Sequence, residues 1–411
     1  MARIVIAAYG SRGDLVPLTD FGRRFVDAGH DVVMTATPDL VEEIEGCGLQ
    51  ARAVDVELEV DPDMKDPLKE AMKLVRPSGM RKLGENLLAA LDEVPADVLL
   101  LTPFAELAGH PLAEARGIPS IGVRLQPLST TSAFPPSLVG AWSAGSVLNR
   151  FAGRRASGMM DRLYDNTVAS FRDQLGLPAK SARKMRRERT AAEWPILHGF
   201  SPSVVPRPED WRPGLEVTGY WWPQRPTGWE PPVELVSFLE SGSAPVFLGL
   251  GSLILGKDDA ARISETIHDA LVQVGVRGVV QAGGAGLEVV GDGVMTVGSV
   301  PHDWLFEKVA AVAHSCGAGT TAAGLRAGLP TVAIPSPGGD QPFWARRLDA
   351  LGVSAATVPR PKLTADRLAK AIDAALTEPS HRAAAQDLAG RIAEEDGAAM
   401  VVTTVEKLIR A

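Results

Sequence analysis

The sequence predicts an α/β protein made of two doubly wound domains, each with a parallel sheet between helices. Three observations support this class. The chain has 411 residues, more than one ordinary hydrophobic core holds. Short apolar runs alternate with longer helical patterns, as in β-α-β units. The alternation stops once, between residues 206 and 232, where Pro and Trp accumulate. We therefore predict an N-terminal domain at 1–210, a linker at 211–240 and a C-terminal domain at 241–411.

The first half begins with a buried strand at residues 4–8, and a helix follows at 18–28 until Gly29 ends it. Further apolar runs of strand length occur at residues 31–35, 97–101 and 120–123. These runs predict one parallel sheet in the first half.

The second half repeats this arrangement after the linker. A strand is predicted at 246–250 and a helix at 263–274, and further strands at 278–281, 310–313 and 331–334. A last helix is predicted at about 398–410. The sequence leaves open whether this helix closes the second domain or crosses back to the first.

Composition excludes several classes of protein. A net charge of −8 argues against a chain built to wrap nucleic acid. The 45% of hydrophobic and 22% of charged residues are typical of a globular protein, and no apolar run reaches the roughly 20 residues that span a bilayer. Two cysteines predict no disulfide framework and a reducing, cytoplasmic location. No ligand spacing predicts a metal site.

The most informative segment is the glycine turn at residues 314–324. Gly317 and Gly319 lie between a predicted strand and a predicted helix, where they let backbone approach a ligand closely. Thr320 or Thr321 is expected to cap the helix. Exposed N–H groups and the positive end of the helix dipole favour an anion there, best a pyrophosphate. The alternative is a plain strand-turn-helix.

Two further groups follow strands at the same edge of the predicted second sheet. Asp340 and Gln341 come shortly after the strand at 331–334, where a carboxylate and an amide can hold vicinal sugar hydroxyls. Gly251 and Ser252 follow the strand at 246–250, and the Ser252 hydroxyl can donate to a phosphate oxygen. The alternative is that these side chains face water.

A dehydrogenase is a rival interpretation. Gly317, Gly319 and Ala322 match a relaxed dinucleotide fingerprint, and Asp340 lies about 20 residues further on, as a ribose-binding acid does. Two features argue against it: the motif lies far into the C-terminal half, and no candidate acid–base His follows Asp340 nearby.

Several motifs together resemble the family 1 nucleotide-sugar glycosyltransferases. This family has the GT-B fold, in which two Rossmann-like domains face each other across a central cleft. The similarity is strongest to the vancomycin-type antibiotic glycosyltransferases and the sterol glucosyltransferases, and it covers essentially the whole chain. The motifs are residues 10–14, 220–221, 248–252, 298–302, the glycine turn and residues 340–342.

The resemblance implies a role for each of these motifs. The N-terminal domain should hold the acceptor, with Phe134 and Trp142 in the loop that contacts it. Asp14 should be the catalytic base. The residues that should bind the donor are Ser11, Arg12, Gly13, Gly251, Ser252, Val300, His314, Ser315, Gly317, Ala318, Gly319, Thr320, Asp340 and Gln341.

The chain departs from the family pattern His-His-Gly-Gly-Ala-Gly-Thr at two positions. Ser315 and Cys316 replace the second His and the first Gly. That His is expected to contact the diphosphate, so the contacts of the diphosphate differ here. Asp14 also has a simpler interpretation, because an acid in a first helical turn stabilises the helix dipole or pairs with Arg12.

The expected reaction is an inverting transfer from a UDP- or TDP-sugar, as a co-substrate, to a hydroxyl of a natural-product aglycone. It needs no metal and no cofactor. Residues 150–189 hold eleven Lys or Arg and four Asp or Glu. This excess could attract an anionic membrane or an acidic acceptor, or form a solvated helical face. A sterol or lipid acceptor at a membrane therefore stays open. The replacement of the family His by Ser315 also leaves open a helper homologue of weak activity, and the oligomeric state is open too.

Overall fold

The computed structural model describes residues 1–56, 73–137, 143 and 145–410. Within these ranges the chain forms two parallel sheets, of seven and six strands. The first sheet contains β1 (Arg3–Ala7), β2 (Asp31–Ala36), β3 (Gln50–Ala53), β4 (Val98–Leu101), β5 (Ser120–Arg124), β6 (Ile196–His198) and β7 (Leu215–Val217). The second contains β8 (Val246–Gly249), β9 (Gly278–Gln281), β10 (Val294–Val297), β11 (Ala311–His314), β12 (Thr331–Ala333) and β13 (Ser354–Thr357).

The strand order confirms two doubly wound domains. The first sheet runs β3-β2-β1-β4-β5-β6-β7, and the second runs β10-β9-β8-β11-β12-β13. In each sheet the order reverses beside its first strand, between β1 and β4 and between β8 and β11. Ligands of open parallel sheets bind outside the carboxyl ends of the strands at such a reversal. The topology therefore places one ligand-binding edge on each domain.

Helices cover both sheets. In the first half they are α1 (Arg12–Leu15), α2 (Thr19–Asp27), α3 (Val41–Gly46), α4 (Pro77–Ala90), α5 (Glu106–Arg116), α6 (Ser146–Leu163), α7 (Asp165–Gln174) and α8 (Ala182–Ala191). In the second half they are α9 (Val233–Glu240), α10 (Lys257–Val274), α11 (His302–Leu305), α12 (Ala318–Arg326), α13 (Gln341–Ala350), α14 (Ala365–Thr377), α15 (Pro379–Ala393) and α16 (Gly397–Arg410). No helix in the described ranges is long and apolar enough to cross a membrane.

The irregular connection between the sheets is shorter than the expected 211–240. Strand β7 lies inside that range and pairs with β6 of the first sheet. Helix α9 also lies inside it, and its Leu235 is fully buried in the core that lies on the second sheet. The connection itself packs on the first domain, where the Trp221 ring meets the Phe21 ring edge-on at 5.1 Å.

The last helix crosses back to the first domain. Ala398, Val401 and Val405 of α16 are fully buried in the same core as the strands of the first sheet. An ion pair between Arg24 and Asp396, with 2.7 Å from N to O, ties the start of this helix to α2. The apolar face of α16 thereby links the two ends of the chain.

A cluster of apolar residues from both halves of the chain joins the two domains. Phe200 of the first half packs edge-on against Trp344 of the second, with 6.0 Å between ring centroids. Ser201 donates a hydrogen bond of 2.6 Å to the carboxylate of Glu395. Helices α1 and α12, which follow β1 and β11, also contact each other. The carboxyl edges of the two sheets therefore face each other across a cleft.

Candidate functional site

The glycine turn leaves the N-terminus of α12 open. Gly317 is the residue before the helix, and no side chain in the described part of the chain accepts a hydrogen bond from this end. The first N–H bonded within the helix is that of Thr321, 2.9 Å from the Gly317 carbonyl oxygen. The preceding N–H groups of the first turn have no partner within the helix. The expected cap by Thr320 or Thr321 is wrong, because Gly317 occupies the capping position.

The turn faces the other domain. Apart from its own surroundings in the chain, a Cβ built on Gly317 meets no atom of another described residue within 4 Å. One built on Gly319 finds only the carbonyl oxygen of Gly13 among them, at 3.9 Å. Gly13 belongs to α1 on the opposite wall of the cleft. The positive end of the α12 dipole therefore points into open space between the domains, which is the geometry of an anion site.

The residues just before the turn are held by local hydrogen bonds. The buried Ser315 hydroxyl donates to the carbonyl oxygen of Leu250, at 3.2 Å, so it ties the ends of β11 and β8 together. His314 accepts the N–H of Cys316 at Nδ1, at 3.0 Å. Burial lowers the pKa of His314 to about 4, so this imidazole is neutral at physiological pH. Its Nε2 is buried and meets no partner among the described residues.

Cys316 has an unusual backbone conformation. Its φ is +63°, in the left-handed region that glycine adopts without cost. The family pattern has Gly at this position. The fully buried Cys316 side chain packs in the cluster between the domains, and burial raises the pKa of its thiol far above the ordinary value. The thiol is therefore a packing group.

The end of β8 supplies a second turn at the same edge. Gly251 has φ +63°, and its carbonyl oxygen accepts the N–H of Gly284 at 2.9 Å. Ser252 is exposed, and its hydroxyl makes no hydrogen bond with another described residue. The Val300 side chain is buried in the core, so only its backbone can meet a ligand.

Asp340 and Gln341 are fixed at the start of α13. One carboxylate oxygen of Asp340 accepts a hydrogen bond from Trp344 Nε1 at 2.8 Å. The side-chain oxygen of Gln341 accepts the N–H of Ser336 at 2.8 Å, which leaves its NH₂ group for a ligand. Burial and, to a smaller extent, the negative charge of Asp14 together raise the pKa of Asp340 to about 6, against the opposing effect of the Trp344 hydrogen bond.

Asp14 is held from both sides. Its Oδ2 accepts hydrogen bonds from the backbone N–H of Ser11, at 3.0 Å, and from the Ser11 hydroxyl, at 2.8 Å. Its Oδ1 faces Gln126 Nε2 at 3.4 Å. Burial raises the pKa of Asp14, although the bonds from Ser11 and Gln126 oppose the shift. A Cβ on Gly10 would lie 2.8 Å from Oδ2, so Gly10 makes room for this carboxylate.

Arg12 does not pair with Asp14, so that part of the simpler interpretation is wrong. Its guanidinium binds both carboxylate oxygens of Glu43, with N to O distances of 2.6 and 3.0 Å. The Arg12 charge also helps to lower the pKa of buried His302 to about 3, although burial is the main cause. Asp14 does take the helix-end role as well, through its capping box with Ser11. A donor contact of Arg12 stays a prediction.

Of the two residues expected to contact the acceptor substrate, the structure describes only one. The Phe134 ring meets the Phe343 ring edge-on, with 5.2 Å between centroids, so it bridges the domains beside Gln341. Trp142 lies outside the described residues. Gln126, which follows β5 at the carboxyl edge of the first sheet, is not among the residues predicted from the sequence. Its position two residues after Arg124, the last residue of β5, is the signal that could have found it.

No group of three or more His, Cys, Asp or Glu side chains could hold a metal ion within the described ranges. The expectation of a reaction without metal stays a prediction. The cleft thus brings together two carboxylates, an open helix N-terminus and a free amide group. These are the groups that a hydroxyl nucleophile, a diphosphate and a sugar need.

Comparison with known proteins decides the family. A model of the erythromycin biosynthesis protein CIII-like C-terminal domain matches residues 265–408. The O-mycaminosyltylonolide 6-deoxyallosyltransferase of Streptomyces fradiae is 34% identical over 98% of this chain and 97% of its own. This chain belongs to the GT-B glycosyltransferases of family 1. The dinucleotide fingerprint is therefore a coincidence of the glycine turn.

Other members of this family resemble the chain over its whole length. A sterol 3-beta-glucosyltransferase of Arabidopsis thaliana is 32% identical over 97% of this chain, which spans only 64% of that relative. The glycosyltransferase VinC, solved in complex with dTDP, superposes with a TM-score of 0.68 at 20% identity and covers 99% of each chain. The latter likeness confirms the two-domain GT-B fold.

Proposed function

We propose that this protein transfers a sugar, with inversion, from a UDP- or TDP-sugar to a hydroxyl group of a natural-product aglycone. One observation carries the proposal: the open N-terminus of α12 faces α1, and Asp14 and Asp340 interact across the same cleft. Relatives named for macrolide and sterol transfer, and a neighbour solved with dTDP, support it.

The donor would lie along the edge of the second sheet. Its diphosphate would accept hydrogen bonds from the free N–H groups of the first α12 turn, helped by the hydroxyls of Thr320 and Ser252. Its sugar hydroxyls would meet the free NH₂ of Gln341 and the second carboxylate oxygen of Asp340. The nucleobase of the donor would lie near the backbone of Val300.

Asp14 would act as the base. Ser11 holds Oδ2 with two hydrogen bonds, whereas Oδ1 has only one long contact, to Gln126. Oδ1 is therefore the atom that would take the proton from the hydroxyl group of the acceptor substrate. The acceptor oxygen then bonds to the anomeric carbon from the face opposite the diphosphate. The bond from that carbon to the diphosphate oxygen breaks, and the diphosphate leaves with the electron pair, stabilised by the α12 N–H groups.

Thermal unfolding with UDP, TDP, GDP and NAD tests the donor class. A ligand that binds only the folded state adds about 2.7 kcal/mol of stability at a hundredfold excess over its Kd. We expect selective stabilisation by UDP or TDP. Stabilisation by NAD alone would reject the proposal.

A glycine substitution tests the diphosphate site directly. In Gly319→Ala the new methyl group occupies the gap between α12 and Gly13, while alanine favours the helix. We expect at least about a tenfold loss of UDP or TDP affinity with unchanged or higher stability. Gly390→Ala, in helix α15 with open space around it, is the matched control and should leave affinity unchanged. Equal affinity in both variants contradicts this site.

A second candidate is a sterol or membrane-lipid acceptor. Relatives named sterol 3-beta-glucosyltransferase motivate it, and so does an exposed apolar face on α6. Turnover with a panel of aglycones and of sterols in vesicles separates the two acceptors. A protein that binds no donor and turns over none of the panel would instead be the helper homologue that the Ser315 substitution suggested.

A further inference from the structure

A large basic cavity lies in the first domain, outside the site described above. Its volume is about 960 Å³, and it lies between α6, α8 and the β6–β7 edge of the first sheet. Among the described residues, nine arginines and four carboxylates line it. Neither Asp14 nor any residue of the second domain is part of its lining.

The carboxylates do not neutralise this cavity. Arg124 pairs with Glu106 at 2.6 Å, and Arg186 pairs with Asp161 at 2.7 Å. Five other arginines of the lining make no hydrogen bond or ion pair with another described residue: Arg154, Arg162, Arg183, Arg187 and Arg189. The lining therefore carries an excess of positive charge.

The surroundings of Arg189 disfavour the positive charge of its guanidinium. Burial lowers the pKa of its guanidinium, and the charges of Arg124 and Arg186 lower it further, against the attraction of Glu106 and Asp161. A phosphate in the cavity would supply the missing charge, and guanidinium groups bind phosphate oxygens in pairs. The cavity therefore suits a phosphate-bearing ligand.

Helix α6 adds an apolar surface next to the cavity. Leu148, Phe151, Met159 and Leu163 are 52%, 54%, 60% and 41% exposed. Their spacing places them on one side of the helix, and the Arg155 guanidinium lies there too, 5.1 Å from the centre of the Phe151 ring. The same helix lines the cavity through Arg154 and Arg162. An apolar stripe with flanking arginines is typical of a helix that lies in a membrane interface.

We propose that α6 lies in the headgroup layer of an anionic bilayer and that the arginine cavity binds the phosphate of an anionic phospholipid. Free phosphate would satisfy the cavity but leave the apolar stripe exposed. A lipid accounts for both, because its phosphate and its acyl chains are joined. The proposal is independent of the transferase reaction, since none of these residues belongs to the donor site.

Vesicle flotation of the full chain tests the proposal. The vesicles contain phosphatidylcholine alone or an equal mixture of phosphatidylcholine and phosphatidylglycerol. We expect binding to the mixed vesicles only, weakened by salt. Each arginine near an anionic surface contributes about fivefold in affinity, so the double variant Arg183→Gln, Arg187→Gln should bind roughly 25-fold more weakly. Arg391→Gln, on exposed helix α15, is the matched control and should bind as the unchanged protein does.

The apolar stripe is tested separately. Phe151→Ser with Met159→Ser should also abolish most of the binding, whereas Val290→Ser, an exposed valine of the second domain, should not. Unchanged melting temperatures and unchanged stabilisation by UDP or TDP show that the variants are folded. Equal binding to both kinds of vesicle, or full binding by either double variant, overturns the proposal. Binding of inorganic pyrophosphate without any vesicle binding also overturns it.

Discussion

Asp14 and Asp340 lie on opposite walls of the cleft, and the negative charge of Asp14 raises the pKa of Asp340. Each carboxylate is held by a different neighbour, Asp14 by Ser11 and Asp340 by the Trp344 indole. Two partly buried carboxylates in one site repel each other, so each is kept in place by donors from its own domain. This separation suits two roles, a base on one wall and a sugar ligand on the other.

Replacement of Asp14 with Asn should remove the general base and keep the shape of the side chain. We expect turnover to fall by about 10²–10⁴-fold, the usual contribution of a general base, with little change in donor affinity. Steady-state kinetics and calorimetric titration of UDP or TDP measure the two effects. Asp92→Asn, at an exposed acid that precedes β4 at the amino edge of the first sheet, is the control. Full turnover in Asp14→Asn would exclude Asp14 as the base.

Replacement of Asp340 with Asn should weaken the binding of the donor sugar and leave the binding of the nucleotide unchanged. The free carboxylate oxygen of Asp340 accepts a sugar hydroxyl in the proposed complex, and a charged hydrogen bond is worth about 1.5–3 kcal/mol. We expect nucleotide-sugar affinity to fall by about 10–100-fold and UDP or TDP affinity to stay the same. Equal losses for both ligands would place Asp340 at the diphosphate instead. The comparison needs calorimetry with the sugar nucleotide and with the free diphosphate.

The raised pKa of Asp340 predicts a pH dependence of stability. The folded pKa is about 6, above the unfolded value near 3.8. Between these values the folded state holds a proton that the unfolded state releases, so stability falls as the pH rises through this window. The cost above it is at most about 3 kcal/mol. Asp340→Asn should therefore stabilise the unliganded protein at about pH 8 and change little near pH 4, as urea unfolding would show. Equal effects at both pH values would contradict the raised pKa.

The left-handed backbone of Cys316 predicts that glycine is more stabilising than alanine at this position, the reverse of the usual order. Cys316→Gly and Cys316→Ala both lose the buried sulfur, but only alanine keeps a Cβ at φ +63°. The glycine variant should therefore be the more stable by about 1 kcal/mol. Cys47, with φ −80° at the end of α3, is the control, because alanine should be favoured there. Urea midpoints of the four variants decide the comparison.

Local patterns explain why so much of the fold could be predicted. An apolar run such as residues 246–250 predicts a strand whatever surrounds it, and the glycines at 317 and 319 predict a turn from backbone freedom alone. The linker limits were less accurate, because strand β7 has three residues and exists only through pairing with β6. Thr320 and Thr321 suit a helix cap by type, but Gly317 holds the capping position in the folded chain.

The sequence by itself determined the two α/β domains, the glycine turn and the Asp340-Gln341 pair, since each depends on residues close together in the chain. Only the tertiary structure decided that α16 returns to the first core, that Ser315 binds the Leu250 carbonyl and that Asp14 faces Asp340. These relationships join residues far apart in sequence. The apolar burial and hydrogen bonding that bring them together belong to the packed molecule, so no local pattern records them.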